Sequence, residues 1–236
     1  MNSLSDILKN LNGGKILDVA TGHGEFLKHL AKLFKQYDEG IGIDLQIDRI
    51  NLADKEKSDN IRFEKMSGDD IKFDAASFDT VAIRHSLHHL DNIERVLSEM
   101  YRVLKPDGLF IICEVFQKPE TEKENSQRHV HHWWAAVDTL NSVPHFETIT
   151  PDEIQKLISR INLKIEHNFE FTDDFPEDQM DEVVEFMNKK IDEYIGKLEK
   201  LGNQDALIEK GQQIKETYQS QGITNEGAVY IIGRKV

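Results

Sequence analysis

The sequence predicts an α/β protein, a doubly wound and mainly parallel sheet with a helical insertion near its end. Three observations predict it. The first 115 residues alternate short apolar segments with segments of helical spacing. The first apolar segment runs through an acid into a glycine loop that opens a helix. Residues 173–222 then carry helical spacing only, before one last apolar segment. Strands alternating with helices imply βαβ units, and right-handed crossovers wind such units into a doubly covered parallel sheet.

Taken in order, Lys15–Ala20 (KILDVA) is a short apolar strand, and Glu25–Gln36 follows as a helix with Phe26, Leu27, Leu30, Leu33 and Phe34 on one face. Gly40–Leu45 is the second strand, Asp48–Lys57 a short helix, Ile61–Met66 the third strand and Phe78–Arg84 the fourth. Ile93–Leu104 is amphipathic, with Val96, Leu97, Met100 and Leu104 on one stripe, and leads to strand five at Leu109–Phe116. Thr150-Pro-Asp-Glu153 reads as a capping box that starts a helix reaching about Ile161. Leu163–Phe171 alternates as a strand, and Ala228–Arg234 is the last one. Between them, Met180, Val184, Met187, Ile191, Ile195, Leu198 and Leu201 recur at helical steps, and Leu207, Gly211, Ile214 and Tyr218 suggest a second helix. The expected division is 1–172 with 223–236 as the main domain and 173–222 as a helical cap. An apolar stripe of that length invites a covering partner, so the cap is expected to be a lid over the pocket or a dimer surface.

The bulk numbers agree. With 236 residues, 39% hydrophobic and 31% charged, the chain suits one well-buried domain plus an appendage. No apolar run is long enough to span a bilayer, and the N-terminus lacks the pattern of a signal peptide, so no membrane partner and a cytoplasmic location are expected. The net charge of −14, with lysines scattered among glutamates, disfavours a nucleic-acid partner. The single cysteine, Cys113, lies inside an apolar run and reads as a core residue.

The chemistry concentrates at Ile16-Leu17-Asp18-Val19-Ala20-Thr21-Gly22-His23-Gly24. A glycine loop lets a ligand approach the backbone, and the helix behind it offers free N–H groups. Dinucleotide-binding folds share this much. Their third glycine, however, is replaced by Leu27, and the Asp18 carboxylate beside the loop would repel a pyrophosphate. Asp44, at the end of strand two, can accept both hydroxyls of a ribose. A ligand with a ribose, positive charge and no phosphate fits, and S-adenosylmethionine is such a ligand.

Six motifs in order make the sequence similar to the class I S-adenosylmethionine-dependent methyltransferases, and most of all to the subgroup containing quinone-biosynthesis and other small-molecule enzymes. They are Asp18-x-x-x-Gly22-x-Gly24, Asp44, Ser67-Gly68-Asp69-Asp70, Ser77-Phe78-Asp79-Thr80-Val81, Leu87-His88-His89-Leu90, and Val103-Leu104-Lys105-Pro106-Asp107-Gly108. The resemblance covers roughly residues 10–116. It implies a seven-stranded Rossmann-like sheet whose last strand is antiparallel, with S-adenosylmethionine as cofactor. The cofactor-binding residues it implies are Asp18, Ala20, Thr21, Gly22, Gly24, Asp44, Leu45, Gly68, Asp69, Asp70 and Arg84.

Strand four ends in Arg84-His85-Ser86, unlike the motif of amino-directed DNA methylases, and the paired-glutamate loop of arginine methyltransferases is missing. The expected acceptor is therefore a small molecule methylated on O, N or C. Histidines follow strand four (His85, His88, His89) and strand five (His129, His131, His132), with His145 beyond. Of these, His85, His89, His129 and His132 are the candidate general bases, since a neutral imidazole can take a proton near physiological pH. His129, His131 and His132 lack an ideal helical pairing, and no metal ligand set is assigned. Two other functions stay open: a catalytically silent S-adenosylmethionine-binding module, and an NAD-dependent oxidoreductase. Monomer and homodimer are both compatible with the sequence.

Overall fold

The computed structural model describes residues 3–47, 60–116, 122–171, 180–223 and 227–236, with backbone only at 122–127. The expected helix at Asp48–Lys57 lies outside the described residues. Seven strands form one sheet: β1 (Lys15–Val19), β2 (Glu39–Asp44), β3 (Ile61–Lys65), β4 (Phe78–Arg84), β5 (Leu104–Phe116), β6 (Leu163–Phe171) and β7 (Gly227–Lys235). The helices are α1 (Leu4–Leu8), α2 (Glu25–Leu33), α3 (Ile93–Val103), α4 (Glu122–Leu140), α5 (Pro151–Ile158), α6 (Met180–Leu201) and α7 (Asp205–Gln221).

The sheet order is β3-β2-β1-β4-β5-β7-β6, with β7 antiparallel. Parallel pairing sets Leu17 opposite Ile41 on one side and Val81 on the other. Strand order therefore reverses between β1 and β4, the switch point where ligands bind beyond the carboxyl ends of such sheets. Ile16, Leu17, Val19, Ile41, Ile43 and Val81 to Ile83 are buried, as strands covered on both faces require. Asp79 pins the far end: it accepts from the Lys15 amide at 2.9 Å and from Lys105 Nζ at 2.8 Å.

The chain divides into two compact units. The first comprises Met1–Glu114, Ile154–Phe169 and Val229–Val236; the second comprises Val115–Glu153 and Glu170–Ala228. The second is larger than the 173–222 cap read from the sequence, because α4 belongs to it. Val130, Trp133 and Val137 of α4 share a core with Ile191, Ile195 and Leu198 of α6, and with Ile214 and Tyr218 of α7. Trp133 Nε1 donates to the Leu207 carbonyl at 2.8 Å. Ile191, Ile195 and Leu198 of the α6 stripe are thus covered inside their own unit by α4 and α7, while Leu201 at its end is exposed. The helical character of α4 was not read because histidines interrupt its apolar spacing. The Thr150 capping box is present: the Thr150 amide donates to Glu153 at 2.8 Å, and the Glu153 amide to Thr150 Oγ1 at 3.3 Å. Among the described residues, no helix is long and apolar enough to cross a membrane.

Candidate active site

The loop after β1 is held from below and from the side. Asp18 is only 1% exposed. Its Oδ2 accepts from Thr21 Oγ1 at 2.6 Å, and the Thr21 amide donates to the Ile43 carbonyl at 3.0 Å, which ties the loop to β2. The Gly24 amide closes the turn on the Thr21 carbonyl at 2.8 Å. Ala20 (φ 54°), Gly22 (φ 54°) and Gly24 (φ 79°) all occupy the left-handed region. A Cβ on Gly24 would meet Phe63 Cζ at 2.5 Å, whereas at Gly22 it would meet open space. Gly24 is required by packing on Phe63 of β3; Gly22 faces an open cradle.

Asp44 closes that cradle. Its Oδ2 accepts from the Gly22 amide at 3.0 Å and its Oδ1 from the Gln46 amide at 2.7 Å. A carboxylate has about four lone-pair sites, so acceptor capacity remains. Beside it Leu45 is 60% exposed, an apolar side chain standing in solvent. Gly68 packs closely, since a Cβ there would lie 2.9 Å from Val19. Asp69 accepts from Ser67 Oγ at 2.5 Å, and its carbonyl accepts from Arg95 Nε at 3.0 Å. Asp70 pairs with Lys72, whose hydrogen bond lowers the Asp70 pKa. Arg84 lies over the Phe26 ring, 5.5 Å from its centroid.

The loop after β4 has an anchor that the sequence reading did not single out. Glu114, fully buried in β5, accepts from the amides of Ser86 at 3.1 Å and Leu87 at 2.7 Å through Oε2, and its Oε1 lies 2.9 Å from His88 Nδ1. It thereby fixes the 3-10 turn Leu87–His89. The legible signal was a lone acid inside the apolar run LFIICEVF. His85, at φ 48°, hydrogen-bonds through its amide to the Cys113 carbonyl at 2.8 Å, and its Nε2 lies 3.5 Å from Cys113 Sγ. Burial pushes the Cys113 thiol up to about 11, so it is an inert core group. His85, His88 and His89 belong to the first unit; His129, His131, His132 and His145 belong to the second.

The ends of β1, β2 and β4 therefore offer a glycine cradle, an acid with spare acceptor capacity and two loops in strained backbone, at the switch point of the sheet. The family model of the methyltransferase domain matches residues 2–168. The chain belongs to this methyltransferase family. It is 36% identical over 124 residues to the ubiquinone/menaquinone biosynthesis C-methyltransferase UbiE of Rickettsia bellii, an alignment covering 48% of this chain and 49% of UbiE. It spans about half the length of the curated relatives it matches. The YcgJ protein of Bacillus subtilis superimposes with a TM-score of 0.60 at 20% identity, covering 98% of this chain and 96% of that one. Geranyl diphosphate methyltransferase, solved in complex with S-adenosylmethionine, does so with 0.57 at 14% identity, covering 99% and 83%.

S-adenosylmethionine is the cofactor that membership in the methyltransferase family implies, and the site fits it. Gly22 leaves room for a ligand against the loop, Asp44 retains acceptors for ribose hydroxyls, and exposed Leu45 offers an apolar surface suited to a base. Asp18 is buried beneath the loop, where it accepts from Thr21.

Burial pushes the Asp18 carboxyl up to about 7; the hydrogen bonds from Thr21 and the Leu27 amide, and the charge of Arg84, oppose the shift, while Asp44 adds to it. The folded state therefore holds a proton that the unfolded chain releases. That stability is fully present below the ordinary value of 3.8 and is lost as pH rises through about 7. Asp18→Asn, which keeps the shape without the charge, is expected to flatten the decline. Urea midpoints at several pH values check this; parallel curves for the two proteins refute it.

Proposed function

We propose that this protein transfers a methyl group from S-adenosylmethionine to a small-molecule O, N or C acceptor. The observation that carries the reading is the Asp44–Gly22 contact: an acid with spare acceptor capacity, as a ribose requires, stands beside an open glycine loop at the β1/β4 switch point. The cofactor supplies a methyl group already activated by the sulfonium charge. What the chain must add is position, exclusion of water and, for a hydroxyl acceptor, a place for the proton. A pyrophosphate ligand is disfavoured by Leu27, buried where a dinucleotide site has its third glycine.

His132 Nε2, Trp134 Nε1, Thr148 Oγ1 and Asn188 Oδ1 are buried with no hydrogen-bond partner among the described residues. Among the candidate bases, His132 has in addition a pKa lowered by burial, against the pull of Glu147, which keeps its ring neutral and able to accept a proton.

The test is calorimetry with S-adenosylmethionine and with NADH, followed by transfer of labelled methyl into cell extract separated into small molecules and macromolecules. The reading expects S-adenosylmethionine to bind the tighter and label to enter the small-molecule fraction. His132→Gln should then slow turnover while leaving cofactor binding intact. Tighter binding of NADH favours an oxidoreductase; binding without any transfer favours a silent cofactor-binding module; label confined to macromolecules overturns the acceptor class.

A further inference from the structure

Three buried side chains of the second unit form a chain that the methyl-transfer reading does not use. His131 and Asp138 stand two turns apart on α4, so they share a face. His145 returns beside them from the segment that follows the helix. His145 Nδ1 lies 2.8 Å from Asp138 Oδ2, the Tyr194 hydroxyl donates to the same oxygen at 2.9 Å, and Lys197 Nζ lies 3.6 Å from Oδ1. A carboxylate accepting at Nδ1 fixes the tautomer of His145 and leaves a lone pair on Nε2. That lone pair meets His131 Nε2 at 3.1 Å, with the two rings at 83°. His131, Asp138 and His145 are 7%, 6% and 6% exposed.

Two imidazole nitrogens this close must share a proton or a cation. A separation of 3.1 Å is the span of two cis ligands on one ion, at the roughly 2.0–2.1 Å that zinc keeps to histidine nitrogen. The carboxylate behind His145 completes the carboxylate–histidine–metal arrangement that orients a ligating ring and raises its basicity. All-nitrogen donors select a borderline transition ion over magnesium or calcium, which take oxygen. We propose that His131 Nε2 and His145 Nε2 bind a divalent transition-metal ion of the zinc, cobalt or nickel class, with Asp138 holding His145 in register. Solvent, or an oxygen or nitrogen of a small molecule, completes the coordination. Neither helical spacing nor a sequence motif signals this pair, because His145 lies beyond the end of the helix.

The full chain, stripped with chelator, is titrated with zinc alone by calorimetry and with cobalt by visible absorption. One ion per chain is expected, with a cobalt spectrum of nitrogen ligation. His131→Ala and His145→Ala should each abolish binding. Asp138→Asn should weaken it by about 10–100-fold, the usual cost of losing the group behind a ligating histidine. Should these variants misfold by circular dichroism, the unaltered chain still decides: zinc must raise its melting temperature, since an ion that binds only the folded state stabilises it. Absence of that rise, or zinc binding unchanged in both histidine variants, overturns the site and leaves a shared proton between the rings.

Discussion

Asp44→Ala is expected to weaken S-adenosylmethionine binding by about 2–4 kcal/mol, the loss of two hydrogen bonds to a charged acceptor. At about 1.4 kcal/mol per decade, this is roughly a thirtyfold to thousandfold rise in dissociation constant. Two effects act together. The acceptors for a ribose disappear, and the Gly22 amide loses the oxygen that holds it at 3.0 Å. Because Asp44 is only half-buried and its other bond goes to the nearby Gln46 amide, the fold itself should be little affected. Calorimetry beside a urea titration separates the two. Unchanged affinity in a stable variant would remove Asp44 from the binding site.

Glu114→Ala is expected to have the largest effect on stability. The carboxylate is fully buried and serves two backbone amides and the His88 ring. Removing it strands those donors in a dry interior and leaves a void, and breaking a buried charged contact of this kind costs about 3–5 kcal/mol. In a domain of this size each kcal/mol lowers the melting temperature by about 2–4 °C, so a fall on the order of 10 °C is expected. Glu114→Gln keeps one acceptor oxygen and should fall between the two. Because the contact fixes Ser86 to His88, the alanine variant should also lose order in the turn after β4, measurable by faster amide exchange at Ser86 and Leu87. A variant that melts within a degree of the parent would show that the turn stands without this anchor.

Much of the first unit was legible in the sequence. Lys15–Ala20, Gly40–Leu45 and Phe78–Arg84 were read to within two residues of β1, β2 and β4, since a strand buried on both faces is written as an apolar run. Gly22 and Gly24 were singled out as a loop, and both have the positive φ that glycine tolerates. The second unit was less legible. The stripe from Met180 to Leu201 was read as a helix, as it is, but its partner was not. Val130, Trp133 and Val137 keep helical spacing, yet the neighbouring His129, His131 and His132 dilute the apolar signal, so α4 and its place in the second unit went unread.

The sequence alone determined the alternation of strands and helices, the loop between Asp18 and Gly24 and the acid at Asp44, because each is set by residues within a few positions of one another. Periodicity, glycine freedom and the end of an apolar run are local properties. Tertiary structure alone decided which side chain stands behind which. Glu114 reaches Ser86 and Leu87 across neighbouring strands, and His145 reaches Asp138 and His131 only because the chain turns back after α4. Tyr194 arrives at the same carboxylate from a separate helix. These contacts depend on sheet order and helix packing, which gather residues far apart in the chain, and no local pattern encodes them.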